Sequence, residues 1–281
     1  MIQKSYADQA SLYLIPTPIG NLEDMTLRAI ETLKQVEVVF SEDTRVTSLL
    51  MNHLGIKKKL ISSYNFNEEK NEKKLLTYLE NGKSVGVVSD RGTPVISDPG
   101  YELAKIAIAH GYPVIGLPGA TALIPALIMS GLEPLPFYFY GFLNSKESHR
   151  KEELKSLSSF PHTIIFYEAP HRIEKTLNQM LEILGDRKIC IAREISKKFE
   201  TIYRGNISEL LEYTETMKGE IVLLVEGNKD EKDYTHLTVV EHVNLYIKEG
   251  FSSKDAIKKV SKDRNVTKKE IYDIYHQIDR K

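Results

Sequence analysis

Short apolar runs alternate along this chain with apolar stripes of helical period. Residues 12–15, 36–40, 84–88 and 113–117 have the length and apolar character of buried parallel strands, and residues 60–63 give a weaker one. Between the first two runs, Leu27, Ile30, Leu33 and Val36 share one face of a helix. A second helix stops at Leu54-Gly55. A third, charged over residues 67–74, has a narrow apolar face of Leu75, Leu76 and Leu79 and closes at Asn81-Gly82. Residues 102–110 and 123–129 supply two more. The last of these is apolar all round and is expected to lie against a sheet or a second subunit. Strand and helix in alternation predict a parallel, layered α/β domain over residues 1–132.

Past the proline-containing linker 132–136 the pattern changes. An aromatic strand at 137–142 precedes a charged helix at 149–157, a strand at 162–167 and a helix at 172–184. Residues 189–192 and 201–205 pattern as a hairpin, and 221–225 as a last apolar strand. A second α/β domain with mixed strand directions is expected over 133–233. From 234 to 281 the periodicity is purely helical. Val239, Val243, Tyr246 and Ile247 mark one helix, Ile257 and Val260 a second, and Ile271, Ile274, Tyr275 and Ile278 a third. Gly250-Phe251 and Asn265-Val266 supply the breaks, and Thr267 with Glu270 reads as a capping box, so a helix-turn-helix-like tail is predicted.

The strand ends carry the chemistry, because ligands of open α/β sheets bind at the carboxyl ends of the strands. The stretch SDRGTPVISDPG, residues 89–100, is longer than a βα connection needs. Its prolines stiffen the chain, its glycines allow a close approach, and Asp90, Thr93, Ser97 and Asp98 offer polar contacts. PTPIGN after the first strand, SEDTR after the second and PGATA after the fifth face the same way. Gly82-Lys83-Ser84 is not a phosphate-binding loop: Thr77 stands where its first glycine belongs, and the lysine precedes a strand. G-x-G-x-x-G does not occur.

Charge and cysteine content narrow the classes. The formal net charge of -1 hides a tail with ten Lys/Arg against seven Asp/Glu from residue 236 onward, so a polyanion would meet local patches only. With Cys190 the single cysteine, an intramolecular disulfide and a cysteine-built zinc cluster are both excluded. No run of about 18 apolar residues and no basic-then-apolar leader is present, so a soluble, cytoplasmic protein is expected.

Eight blocks occur here in a recognisable order: LYLIPTPIGNLEDMTLRA, FSEDTR, VVSDRGTPVISDPGYEL, GLPGATALIPAL, GFL, IIFYEAPHRI, AREISKKFET and KGEIVLLVEG. In this the chain resembles the bacterial 16S rRNA cytidine 2′-O-ribose methyltransferases of the small-subunit "methyltransferase I" type, within the tetrapyrrole methylase superfamily. The resemblance implies two α/β domains with S-adenosylmethionine in the cleft between them, a homodimer, and a cytidine of the decoding region of small-subunit rRNA, free or in the 30S particle, as substrate. It places cofactor contacts at Pro18, at Gly92, Thr93, Pro94, Val95 and Ile96, at Thr121 and Ala122, and at Tyr167 and Ala192. Arg91 stands where the family usually has alanine, and Ala120-Thr121 replaces a common proline-serine pair.

Methyl transfer from a sulfonium needs alignment of donor and acceptor at about 3 Å and exclusion of water, and it needs no metal. A ribose hydroxyl is a poor nucleophile and gains from a base or a cation. Glu42, Asp43, Arg45, Glu168 and Arg172 are the catalytic candidates, with His171, Arg193 and Glu194 beside them. Each could equally be a helix cap or an inter-domain ion pair. Tyr64, Phe66, Tyr138, Tyr140 and Tyr167 could stack on a splayed nucleotide or belong to the core. Two rival readings share the scaffold: a tetrapyrrole carbon methyltransferase, disfavoured by the basic tail and the loop forms, and a non-catalytic RNA-binding protein.

Overall fold

In the computed structural model the run Val85–Val88 (β4) is buried along its whole length and lies mid-sheet. The structure describes residues 2–5, 9–63, 68–229, 234 and 237–278. Tyr64, Phe66, the expected boundary at 233 and the side chain of Ile278 lie outside the described part. The other strands of this sheet are Leu12–Leu14 (β1), Val38–Ser41 (β2), Lys59–Ser62 (β3) and Val114–Gly116 (β5), in the order β3-β2-β4-β1-β5 and all parallel. β2 and β4, inside the sheet, are buried along their whole length and are apolar or nearly so rather than alternating, whereas the edge strand β3 exposes Lys59 and Ser62. Leu27–Gln35 (α1) and Thr44–His53 (α2) cover one face with Ala29, Leu33 and Met51; Glu68–Glu80 (α3) and Tyr101–Ala109 (α4) cover the other with Leu75, Leu79, Leu103 and Ala107.

The helix Leu123–Ser130 (α5) leaves this sheet for the next one. Ala126 and Leu127 pack with Ile165, Cys190, Ala192, Val222 and Leu224. Its other side is open, with Ile128 73% exposed, so the all-round apolar helix is only half covered. The second sheet has the order β6-β7-β10-β8-β9, built from Phe137–Phe142 (β6), Thr163–Glu168 (β7), Lys188–Arg193 (β8), Thr201–Asn206 (β9) and Ile221–Val225 (β10). β6 and β7 are parallel and the remaining pairs antiparallel, the mixed directions expected. Glu147–Leu157 (α6), Ile173–Leu184 (α7) and Ile207–Leu210 (α8) close its far face through Leu154, Ile173, Leu177, Met180 and Ile207.

By its contacts the chain forms two units, Met1–Asn228 and Lys229–Lys281. The second unit comprises Val239–Lys248 (α9), Ser253–Asp263 (α10) and Lys268–Ile278 (α11) around Val243, Tyr246, Ala256, Ile257, Val260 and Ile271. The Thr267–Glu270 capping box is present: the Thr267 amide donates to Glu270 Oε2 at 2.7 Å, and the Glu270 amide to Thr267 Oγ1 at 3.3 Å. Ile274, expected on the inner face of α11, is exposed instead. No helix among the described residues is long and apolar enough to cross a membrane.

Candidate active site

Three strand-end loops of the first sheet are tied to one another. Thr17 and Gly92 exchange backbone hydrogen bonds of 2.9 and 3.0 Å, and the Thr17 hydroxyl donates to Ser89 O at 3.2 Å. The Thr93 hydroxyl donates to Ala120 O at 3.0 Å, joining the loop after β4 to the loop after β5. Gly92 has φ +77°, and a Cβ there would stand 3.2 Å from Ile19 Cγ2, so the position requires glycine on two counts. Val95 (φ +80°) and Ser97 (φ +64°) hold left-handed conformations that cost a non-glycine residue about 1–3 kcal/mol. Such strain is concentrated where a loop is shaped for a ligand rather than for its own stability.

Across from these loops lie the central strands β7, β10 and β8 of the second sheet, and a cavity of about 340 Å³ lies between. That volume is in the range of small-molecule sites. Gly92, Thr93, Ile96, Thr121 and Ala122 line it from one side; Tyr167 and Ala192 line it from the other. These seven are among the ten residues expected to touch a cofactor. The remaining three stand elsewhere. Pro18 faces a separate surface hollow with Leu22, Val46 and Leu49, Pro94 is buried within its loop, and Val95 turns to an adjoining cavity. Phe142, Ile195 and Val222 extend the apolar wall without having been expected; they are apolar residues of the second sheet and its loops, with nothing in their spacing to mark them. Tyr167 is gripped edge-on by Phe139 and tilted against Phe142, with ring centroids 5.0 and 5.6 Å apart. Burial pushes its hydroxyl above the usual phenol range. Tyr138 and Tyr140 pack on each other and on Phe160 and Phe166, away from this wall.

The five catalytic candidates divide. Glu168 and Arg172 are internal. Glu168 accepts from the Ala169 amide at 2.8 Å and from the Thr176 hydroxyl at 2.6 Å, pairs with Arg172 Nε at 3.2 Å, and has a side chain only 1% exposed. Arg172 also donates to Leu143 O and Asn144 O at 2.7 and 3.1 Å. Glu168 also lines the cleft cavity, but each of its oxygens has a partner inside the protein, and together with Arg172 it joins β7 to α7. Asp43 caps α2 by accepting from the Arg45 amide at 2.8 Å, and the Arg45 guanidinium holds its carboxyl down at about 2. Arg45 is 88% exposed. This pair is a helix cap and does not line the cavity. Glu42 differs: burial first, and then the charges of Asp90 and Asp43, raise its carboxyl above the usual range, and it lines the adjoining cavity. His171 is exposed, and Arg193 is spent on the carbonyls of Lys218 and Phe199.

Arg91 explains itself through the second domain. It pairs with Glu220, which accepts from Lys197 Nζ at 2.8 Å, while Lys197 also reaches Glu194 at 2.7 Å. Arg91 and Glu220 both line the cavity, so this chain of charges spans its rim from one domain to the other. Glu42 aside, the adjoining cavity of about 680 Å³ is walled by Glu69, Glu72, Glu102 and Asp98. Burial, and then the Glu42 and Asp90 charges, push the Asp98 carboxyl up to about 7.

A sequence profile of the tetrapyrrole (corrin/porphyrin) methylases matches residues 11–211, which covers both sheets apart from β10. The chain belongs to the tetrapyrrole methylase family. Within it, the chain is 49% identical over 278 residues to the ribosomal RNA small subunit methyltransferase I of Bacillus subtilis (strain 168), covering 96% of this chain and 95% of that one. It is 46% identical over 285 residues to the protein of the same name from Halalkalibacterium halodurans, covering 98% and 99%. Among solved structures, the fold is similar to that of the uroporphyrin-III C-methyl transferase from Thermus thermophilus complexed with S-adenyl homocysteine. That match has a TM-score of 0.56 and 21% identity, over 77% of this chain and 97% of that one. The methylase fold thus accounts for both sheets and for the cleft between them.

Proposed function

We propose that the protein is an S-adenosylmethionine-dependent methyltransferase of small-subunit ribosomal RNA, acting on the 2′-hydroxyl of a cytidine ribose in the decoding region. The observation that carries this reading is the convergence of Gly92, Thr93, Ile96, Thr121 and Ala122 with Tyr167 and Ala192 around a single cleft cavity. The names of the relatives that match along nearly the whole chain support the RNA substrate. The cavity suits the cofactor chemically: its walls are largely apolar, and the left-handed Gly92 keeps a side chain out of the space the cofactor would use. Bound there, the cofactor supplies an electrophilic methyl on a sulfonium. The chain's part is to hold donor and acceptor in line and to keep water out; the aromatic wall of Tyr167 and Phe142 and the rim from Arg91 to Glu220 suit that task. A homodimer fits the exposed apolar side chains of Leu22, Val46 and Leu49 around one surface hollow.

The basic tail fits RNA by its charge. Lys258, Lys262, Lys268 and Lys269 are exposed around the turn between α10 and α11. Arg264, beside them at the end of α10, is bonded inside the tail to Leu237 O, Tyr234 O and His242 Nδ1. The test is transfer of labelled methyl from S-adenosylmethionine to 30S particles and to free 16S rRNA, followed by alkaline hydrolysis. Ribose methylation leaves an alkali-resistant dinucleotide carrying the label. Label released on single nucleotides, or no label on RNA at all, refutes the reading.

A further inference from the structure

The cleft cavity and the adjoining acidic cavity share a wall, and that wall is Ser97 and Asp98. Among the described residues, Asp98 is the one carboxylate that lines both. We infer that Asp98 is the general base of this site: the acceptor ribose enters through the adjoining cavity, and the Asp98 carboxylate takes its hydroxyl proton as the methyl is transferred. This rests on the methyltransferase reading above.

The step balances without any further reactant. The hydroxyl oxygen forms a bond to the methyl carbon, the carbon–sulfur bond breaks with its electron pair staying on sulfur, and the hydroxyl proton passes to Asp98 and then to solvent through the adjoining cavity. The other carboxylates near the cleft are committed or misplaced. Glu168 has both oxygens bonded inside the protein, Glu220 is paired with Arg91 and Lys197, and Asp43 is held by Arg45. Glu42 lines only the adjoining cavity. No donor among the described residues reaches the Asp98 carboxylate, so its lone pairs are available. The backbone also holds it in place. Ser97 is fixed in a left-handed conformation beside Gly141 of β6, where a Cβ would stand 3.3 Å from Ser97 Oγ; only a glycine lets the loop come this near the second sheet.

A base should titrate near the pH at which it works. The Asp98 carboxyl is pushed up to about 7 by burial and by Glu42 and Asp90. The other groups that face it are Tyr167 of β7, Glu69 and Glu72 of α3, and Glu102 of α4. Arg91, the cation lining the same cavity, is paired with Glu220, and none of the groups that shift the Asp98 carboxyl among the described residues lowers it.

The test is single-turnover methyl transfer to 30S particles by the full-length protein, with Asp98→Asn and Glu42→Gln compared to wild type, and cofactor affinity measured in parallel by equilibrium dialysis. Asn keeps the shape of the side chain and cannot accept the proton. The expected result is a rate loss of about 10²- to 10⁴-fold for Asp98→Asn with cofactor affinity changed by less than about threefold. The wild-type rate should rise with pH through a midpoint near 7, and the variant's residual rate should lose that midpoint. Glu42→Gln should move the midpoint downward, since one negative neighbour is gone. An Asp98→Asn variant as fast as an active wild type overturns the role alone. So does a rate loss matched by an equal loss of cofactor affinity, which would make Asp98 a cofactor contact. A wild type that transfers no methyl to either the particle or free 16S rRNA overturns the role and the proposed function together.

Discussion

Replacing Glu168 separates an architectural acid from a catalytic one. Glu168→Ala would strip Arg172 of its only carboxylate partner in the network described and leave the Thr176 hydroxyl and the Ala169 amide without an acceptor, in a place where the carboxylate is 1% exposed. Removing one member of a buried ion pair costs about 3–5 kcal/mol. Arg172 keeps its bonds to Leu143 O and Asn144 O and is itself 19% exposed, which brings the expected loss to the lower end, about 3 kcal/mol. Glu168→Gln retains one acceptor and the volume, and should lose about 1–2 kcal/mol. Urea denaturation followed by circular dichroism measures both. If Glu168→Ala unfolds within about 0.5 kcal/mol of wild type yet transfers no methyl, the network is dispensable to the fold and Glu168 belongs to the chemistry after all.

Three further outcomes are expected. Gly92→Val forces a branched side chain into φ +77° and against Ile19, and should weaken S-adenosylmethionine binding by at least about tenfold, or ~1.4 kcal/mol, by calorimetry; unchanged affinity would move the cofactor out of the cleft. Because the folded Asp98 keeps its proton up to about 7 while the unfolded chain releases it in the ordinary carboxylate range, stability should fall as pH rises through that interval, and Asp98→Asn should remove that slope and melt higher than wild type above pH 7; parallel melting curves for the two proteins across this interval would refute the shift. Ending the chain at Asn228 should leave cofactor affinity unchanged, weaken RNA binding and flatten its dependence on salt; undiminished methylation across salt concentrations would remove the tail from RNA recognition.

Local order was legible in the sequence, and long-range pairing was not. Each apolar run became a strand within a residue or two, because a strand buried on both faces must be apolar throughout. That β1 would insert between β4 and β5, or that β10 would enter the middle of the second sheet, depends on partners far away in sequence, and no periodicity carries that information. The site divides in the same way. Gly92 and Thr93 announced themselves through loop length and composition. Glu168 and Arg172 have the same local spacing whether they face a substrate or one another; that Glu168 also accepts from Thr176, a turn further along α7, cannot be read from that spacing. Asp98 looked like one polar residue of a long loop. Its character comes from Glu42, at the end of another strand, and from the burial they share, neither of which can be seen in the loop itself.

The position of β10 has a consequence for how the protein is made. Among the described residues Ile221–Val225 is the last strand to leave the ribosome, yet it is hydrogen-bonded on both sides, to β7 and to β8. Until it arrives, those two strands have no neighbour between them, and Val222, which lines the cleft, is missing from the wall. A truncated or still-growing chain that lacks this segment cannot form the pocket, however well its first sheet has folded. The cleft cavity is therefore completed late in the life of each molecule, only once synthesis has passed Val225.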